Sequence, residues 1–134
     1  MSHSARHLNP PGLMGSRRFF SQVDVAPSGT TVYVAGQTGY GVDRSIAASK
    51  EGQMVQAFEN VRIALEAAQA RMDQVVSMTV YIVDYSEIDL EALARCTAAC
   101  FPPDRLPAST LVPVPRLARD ELLFEVTVTA VIPG

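Results

Sequence analysis

Glu125 is the residue whose type and surroundings are best suited to acid–base chemistry. It falls between Leu123 and Thr127 in a segment, Leu122 to Ile132, that alternates as a strand. A carboxylate on such a mixed face needs a partner. It can hold or deprotonate a water, or it can be a structural acceptor for neighbouring backbone or for an arginine at a subunit contact. The other reactive residue types are less well assembled. Cys96 and Cys100 lie four apart in a helical stretch, where Cβ atoms are about 5–6 Å apart, beyond the ~3.5–4.5 Å that a disulfide prefers. The only histidines, His3 and His7, lie in the N-terminal arm, so no metal set is expected and the thiols read as small buried groups in a reducing compartment. Ser21, Ser77 and Ser86 have no nearby histidine to activate them, which disfavours a serine hydrolase. The run from Gly36 to Gly41 lacks the Lys-Ser/Thr of a phosphate cradle and reads as a loop. No cofactor is implied.

The elements that position these residues follow from periodicity. Residues 1–16, with Asn9-Pro10-Pro11-Gly12, read as an extended arm rather than an element. Arg18 to Val25 reads as a strand, Pro27-Ser28-Gly29 as a turn and Thr30 to Ala35 as a second strand, which predicts a hairpin. Ser49 is a plausible N-cap for a helix reaching about Arg71, with Met54, Phe58, Val61, Leu65 and Ala68 on its buried stripe. Val75 to Val83 reads as a strand and Glu87 to Ala99 as a helix stopped by Phe101-Pro102-Pro103-Asp104. Strands at Ser109–Val114 and Leu122–Ile132 complete the order ββ-α-β-α-ββ. In the last strand Phe124, Val126, Val128, Ala130 and Ile132 share the face that the helices should cover. The opposite face, rich in Thr and Tyr, suits a sheet half-buried against another subunit; a solvated face of a monomer is the alternative.

The totals bound the function. A chain of 134 residues fits one domain spanning 1–134, and 48% hydrophobic residues supply a core without disulfides or a metal. The formal charge of −3 and the absence of tryptophan argue against a nucleic-acid partner. No apolar run approaches the ~20 residues needed to cross a bilayer, and the start Met1-Ser2-His3-Ser4-Ala5-Arg6 reads as cytoplasmic.

Five segments, in order, resemble one known family. Val34-Ala35-Gly36-Gln37 resembles its "SGQ" strand end, and Gln56 to Val61 with Leu65 its "Q…NI…L" helix. Val80-Tyr81-Ile82-Val83-Asp84 is similar to its central "V-Y-V-x-D" strand. Pro107 to Val112 and Leu122 to Val126 resemble its C-terminal signature. The family is that of the Rid (YjgF) proteins, the reactive intermediate deaminases. The resemblance implies an α+β, chorismate-mutase-like fold, a mixed sheet with two helices on one face, and a homotrimer with ligand cavities between subunits. It also implies hydrolysis of imine or enamine intermediates to keto acids and ammonia.

The departures fall at the site that the resemblance implies. Where archetypal members carry the carboxylate-clamping arginine, this chain has Ser109, followed by Thr110. A guanidinium grips a carboxylate at two points with charge, whereas a serine hydroxyl offers one neutral hydrogen bond. The usual tyrosine is Phe20, and the serine before the glycine is Ala35, while Glu125 is retained. Glu125 is thus the catalytic candidate, and Ser109, Thr110, Phe20, Gly36, Gln37 and Arg105 are the ligand-binding candidates. Arg17, Arg18, Arg116 and Arg119 join Arg105 as possible replacements for the clamp, with solvated surface charge as the default for each. Three functions fit: a divergent hydrolase acting on C=N bonds of a substrate without a carboxylate, a non-catalytic small-molecule-binding protein using the same cavity or, ranked last, a moonlighting nucleic-acid- or protein-binding role.

Overall fold

The computed structural model describes residues 4–15 and 19–134. The strands are β1 (Arg6–Leu8), β2 (Val23–Val25), β3 (Gly29–Thr38), β4 (Val75–Val83), β5 (Ala108–Val114) and β6 (Phe124–Pro133). The helices are α1 (Lys50–Ala67) and α2 (Glu87–Cys100), with a 3-10 turn at Met72–Gln74 leading into β4. The main sheet has the order β3-β6-β4-β5, with β4 and β5 parallel and the other pairs antiparallel. It is therefore mixed, as expected. Alternation along β6 buries Phe124, Val126, Val128 and Ala130, and β4 does the same with Val80 and Ile82. These residues meet the α1 stripe of Met54, Ala57, Phe58, Val61 and Leu65 and the α2 residues Ala92, Leu93 and Cys96. Phe58 sits at the centre, its ring 5.9 Å from Phe124 and 6.3 Å from Phe101. The other face of the sheet carries half-buried Glu125, Thr127 and Thr129, and Tyr33 is 81% exposed there.

The N-terminal third departs from the expected hairpin. The arm is not featureless: Arg6–Leu8 forms β1, which pairs antiparallel with Val23–Val25 as a separate two-stranded ribbon. β2 does not pair with β3, and Arg18 lies outside the described residues. The reason is electrostatic as much as topological. The His7 Nδ1–H donates to Asp24 Oδ1 at 2.7 Å and to the Leu106 carbonyl at 3.0 Å, and Asp24 Oδ2 accepts from the Ala108 N–H at 2.9 Å. A buried carboxylate must be paired, and these bonds draw the ribbon to the segment entering β5. Burial pushes the Asp24 carboxyl up from its ordinary value, against the opposing pull of the Ala108 N–H and His7. Gly29 starts β3 because a side chain there would run into the Ile132 carbonyl, and its φ of +155° suits glycine.

Smaller differences have local causes. α1 stops at Ala67 rather than Arg71, since Gln69 takes a left-handed φ of 61° and the N–H groups of Gln69 and Ala70 return to the carbonyls of Glu66 and Leu65. β3 continues to Thr38 instead of ending at Ala35. Ser49 caps α1 by accepting the Gly52 N–H at 3.0 Å, as the sequence indicates. Cys96 is buried and Cys100 half-buried, both free; burial lifts the Cys96 thiol to about 11. Among the described residues no helix is long and apolar enough to cross a membrane.

Side-chain amides on α1 secure the loops at the sheet ends. Gln53, 2% exposed, donates to the carbonyls of Ala47 and Glu121 and accepts the Leu123 N–H at 2.8 Å. Asn60 donates to the carbonyls of Thr38 and Tyr40, and Gln56 orients Asn60. These bonds give a physical reason for the glutamine and asparagine of the helix signature. Replacing Gln53 with Leu leaves three backbone groups without their partner, so we expect a loss of about 2–4 kcal/mol. Urea unfolding of the variant beside the parent protein measures it.

Candidate functional site

The segment leading into β2, the middle of β4 and the start of β5 together form a recess of about 350 Å³. Phe20, Ser21 and Gln22 form one wall, Ser77 and Thr79 of β4 another, and Ser109 and Thr110 of β5 a third. The parallel register fixes this grouping: Met78 pairs with Ser109 and Thr79 with Thr110. The Ser21 N–H donates to the Pro107 carbonyl at 3.2 Å, and Ser21 bridges to Ala108. Hydroxyl and amide groups dominate the lining, and no charged side chain stands among its described residues. Three expected ligand residues, Phe20, Ser109 and Thr110, are thus together.

Glu125, Gly36 and Gln37 form a second group. The "SGQ"-like segment is a β-bulge: Val34 pairs with Val128 and Gln37 with Val126, leaving Ala35 and Gly36 opposite Thr127. The Thr127 hydroxyl donates to the Val34 carbonyl at 2.9 Å, and Gln37 Nε2 donates to the Ala35 carbonyl at 3.1 Å. A β-carbon at Gly36 would overlap the Glu125 carboxylate. Gly36 has no positive φ, so the carboxylate's space, not backbone strain, is what requires glycine there. The Glu125 carboxylate makes no hydrogen bond or ion pair to any described residue. Of the two structural partners that the sequence reasoning allowed for, neighbouring backbone is absent among them, and an arginine at a subunit contact would belong to another chain.

The two groups do not meet within one chain. Glu125 is level with Tyr81 on β4, and Tyr81 with Val112 on β5, three residues beyond Ser109. Two strand spacings across and three residues along put Glu125 and Ser109 roughly 14 Å apart at their backbones. Arg105 turns elsewhere: its guanidinium donates to the Asp73 carbonyl at 3.3 Å and it lines a small gap with Arg71 and Asp73. Arg116 pairs with Asp120 on the surface, and Arg17 and Arg18 lie outside the described residues. Sequence reasoning missed the His7–Asp24 pair, whose partners lie 17 positions apart. It also took Ser21 to lie away from any histidine, whereas Ser21 and His7 line a common cavity. Ser21 does not hydrogen-bond His7 Nε2, which has no partner, so no hydrolytic triad is formed.

Comparison with known proteins agrees with this architecture. The family model described as endoribonuclease L-PSP matches residues 14–132. A Yersinia pestis protein of unknown function from the Rid family, YyfB, superposes with a TM-score of 0.91 at 27% identity, covering 96% of this chain and 99% of its own. RidA from the Antarctic bacterium Psychrobacter sp. PAMC 21119 gives 0.71 at 27% identity, over 84% and 88% of the two chains. Rv2704 from Mycobacterium tuberculosis, of the YjgF/YER057c/UK114 family, gives 0.65 at 25%, over 96% and 100%. No curated protein matches. The chain belongs to the Rid/YjgF family, that of the endoribonuclease L-PSP model.

The bulge geometry makes a direct prediction. In Gly36→Ala the new methyl displaces the Glu125 carboxylate, the movable partner, and the fold survives with a cost of about 1–2 kcal/mol. The Glu125 carboxyl carbon resonance should shift while the melting temperature falls only a few degrees. An unmoved resonance contradicts this use of Gly36.

Proposed function

We propose that this protein is a homotrimer carrying a small-molecule site at each subunit interface, with the Ser109 recess of one chain facing Glu125 of its neighbour. The observation that carries the reading is the split just described: two halves of a site on one chain, roughly 14 Å apart. The unsealed Thr/Tyr face of the sheet, with its exposed Tyr33, supports an interface in the same region. The reading also rests on the family, whose resemblance implies trimers with such cavities. The free thiols Cys96 and Cys100 agree with a cytoplasmic setting.

The chemistry that fits is hydrolysis of a C=N bond in a substrate without a carboxylate. Glu125 takes a proton from water as the hydroxide adds to the imine carbon and returns it to the nitrogen, giving a carbinolamine. Glu125 then passes the carbinolamine hydroxyl proton to the amine, and the C–N bond breaks to release ammonia as the carbonyl forms. Ser109, Thr110 and Gln37 hydrogen-bond the neutral end of the substrate, and Phe20 packs against it. A non-catalytic binding protein is the second reading. It is favoured by one observation: Glu125 has no described partner to orient it as a base.

Three outcomes are expected. Light scattering at micromolar concentration gives three times the mass of one chain, and a monomer overturns the interface site. Ammonia release from 2-aminoacrylate is weak, because loss of a charged two-point clamp costs about 2–4 kcal/mol, or roughly 30- to 1,000-fold. Ser109→Arg recovers part of it, and adding Glu125→Ala removes the gain. Vigorous turnover by the parent protein refutes the account. No gain from the arginine, with the trimer intact, favours the binding protein.

A further inference from the structure

The hydroxyl groups around the Ser109 recess have no partners within the described chain. Ser77 and Thr79 of β4 line it, Thr110 of β5 stands level with Thr79, and Ser21 bridges to Ala108, which is level with Ser77. The pairing gathers these four hydroxyl residues into two adjacent rows, with strands about 5 Å apart. None of the four side chains hydrogen-bonds a described residue. For three of them water explains this, since Ser77 and Thr110 are exposed and Thr79 is half-buried. Ser21 differs. It is only 4% exposed, and its N–H is committed to the Pro107 carbonyl at 3.2 Å, yet its hydroxyl has no partner. Nor is that hydroxyl closed off: among the described residues, His7 Nε2 is the one unpartnered buried side-chain atom that is sealed. An open, unpartnered hydroxyl on a buried residue calls for a partner from outside the chain.

We propose that the recess recognises a primary carboxamide, so that the ligand is a 2-imino carboxamide rather than an imino acid. The inference rests on the interface reading above, in which this recess faces the neighbour's Glu125. Hydroxyls both donate and accept. A carboxylate only accepts, and its charge would enter a lining with no described cation to meet it. An ammonium only donates and meets no counter-charge in the same described lining. A ketone or an ester has no hydrogen to give. A carboxamide presents two N–H donors and an oxygen acceptor in one plane, which suits hydroxyls standing on neighbouring strands: it bonds Ser21 from one side and Thr79 and Thr110 from the other. It keeps the shape of the carboxylate that the family resemblance implies and drops the charge, in keeping with Ser109 in place of the arginine. Water adds across the C=N bond, ammonia leaves and the amide stays intact, so the product is a 2-keto carboxamide.

Pyruvamide and pyruvate differ only in this head group, and NMR of the full labelled protein tests the proposal with them. Pyruvamide should move the Ser21 and Ser77 amides and the Thr79 and Thr110 methyls saturably. Sodium pyruvate at matched ionic strength should bind at least about tenfold more weakly, and glycerol, a neutral polyol, should not saturate the same signals. Ser21→Ala removes no hydrogen bond within the described chain, so the melting temperature should hold while pyruvamide affinity falls roughly three- to tenfold. Ser109→Arg should invert the preference toward pyruvate. The proposal is overturned by shifts that do not saturate with pyruvamide, which leaves water as the partner of Ser21. Equal affinity for pyruvate or glycerol, or unchanged affinity in Ser21→Ala, overturns it as well. Light scattering of the same sample separates the two readings. A trimer without the amide preference sinks this inference alone, whereas a monomer sinks the interface site and leaves the head-group preference to the titration, since one chain lines the recess.

Discussion

The register of β6 is the constraint on which the rest depends. β6 is hydrogen-bonded on both sides, to β3 and to β4, and its side chains alternate with a period of two. Holding Phe124, Val126, Val128 and Ala130 under the helices commits Glu125, Thr127 and Thr129 to the open face. A slip of one residue would put a carboxylate into the core and four apolar side chains outside, a cost that far exceeds ordinary stability margins. The bulge at Ala35–Gly36, the Thr127 hydroxyl bond and the space for the Glu125 carboxylate all follow from that register.

The second constraint is the buried Asp24 carboxylate. It gathers His7 from β1 and the Ala108 N–H from the start of β5, and so brings Phe20 and Ser21 beside Ser109. Without that pairing the N-terminal ribbon has little apolar surface to bury: β1 and β2 are three residues each and mostly exposed. A short polar interaction thus shapes two cavities.

What was legible in the sequence follows the same division. The two helices, the β4 strand and the two faces of β6 were readable because burial on one side imposes a clear period on Val80, Ile82, Phe124 and Val126. The N-terminal ribbon was not, because His7 and Asp24 interact at a separation that periodicity does not register. The extension of β3 through Gly36 was hidden for a related reason: the glycine is there for a carboxylate 89 positions away, and in sequence it looks like a strand terminator. Grouping Phe20 with Ser109 and Thr110 was anticipated from the family resemblance, and the bridge of Ser21 to Ala108 at the start of β5 supplies its physical basis. The departure at Ser109 carries chemical weight because the recess around it offers no other described charge to replace the arginine.

The most direct measurement is the separation between Ser109 of one chain and Glu125 of its neighbour in an experimental structure of the assembled protein. The account predicts less than about 10 Å, a gap that one small ligand and a water can span. A larger separation, or an assembly in which the open sheet face meets solvent, would contradict it.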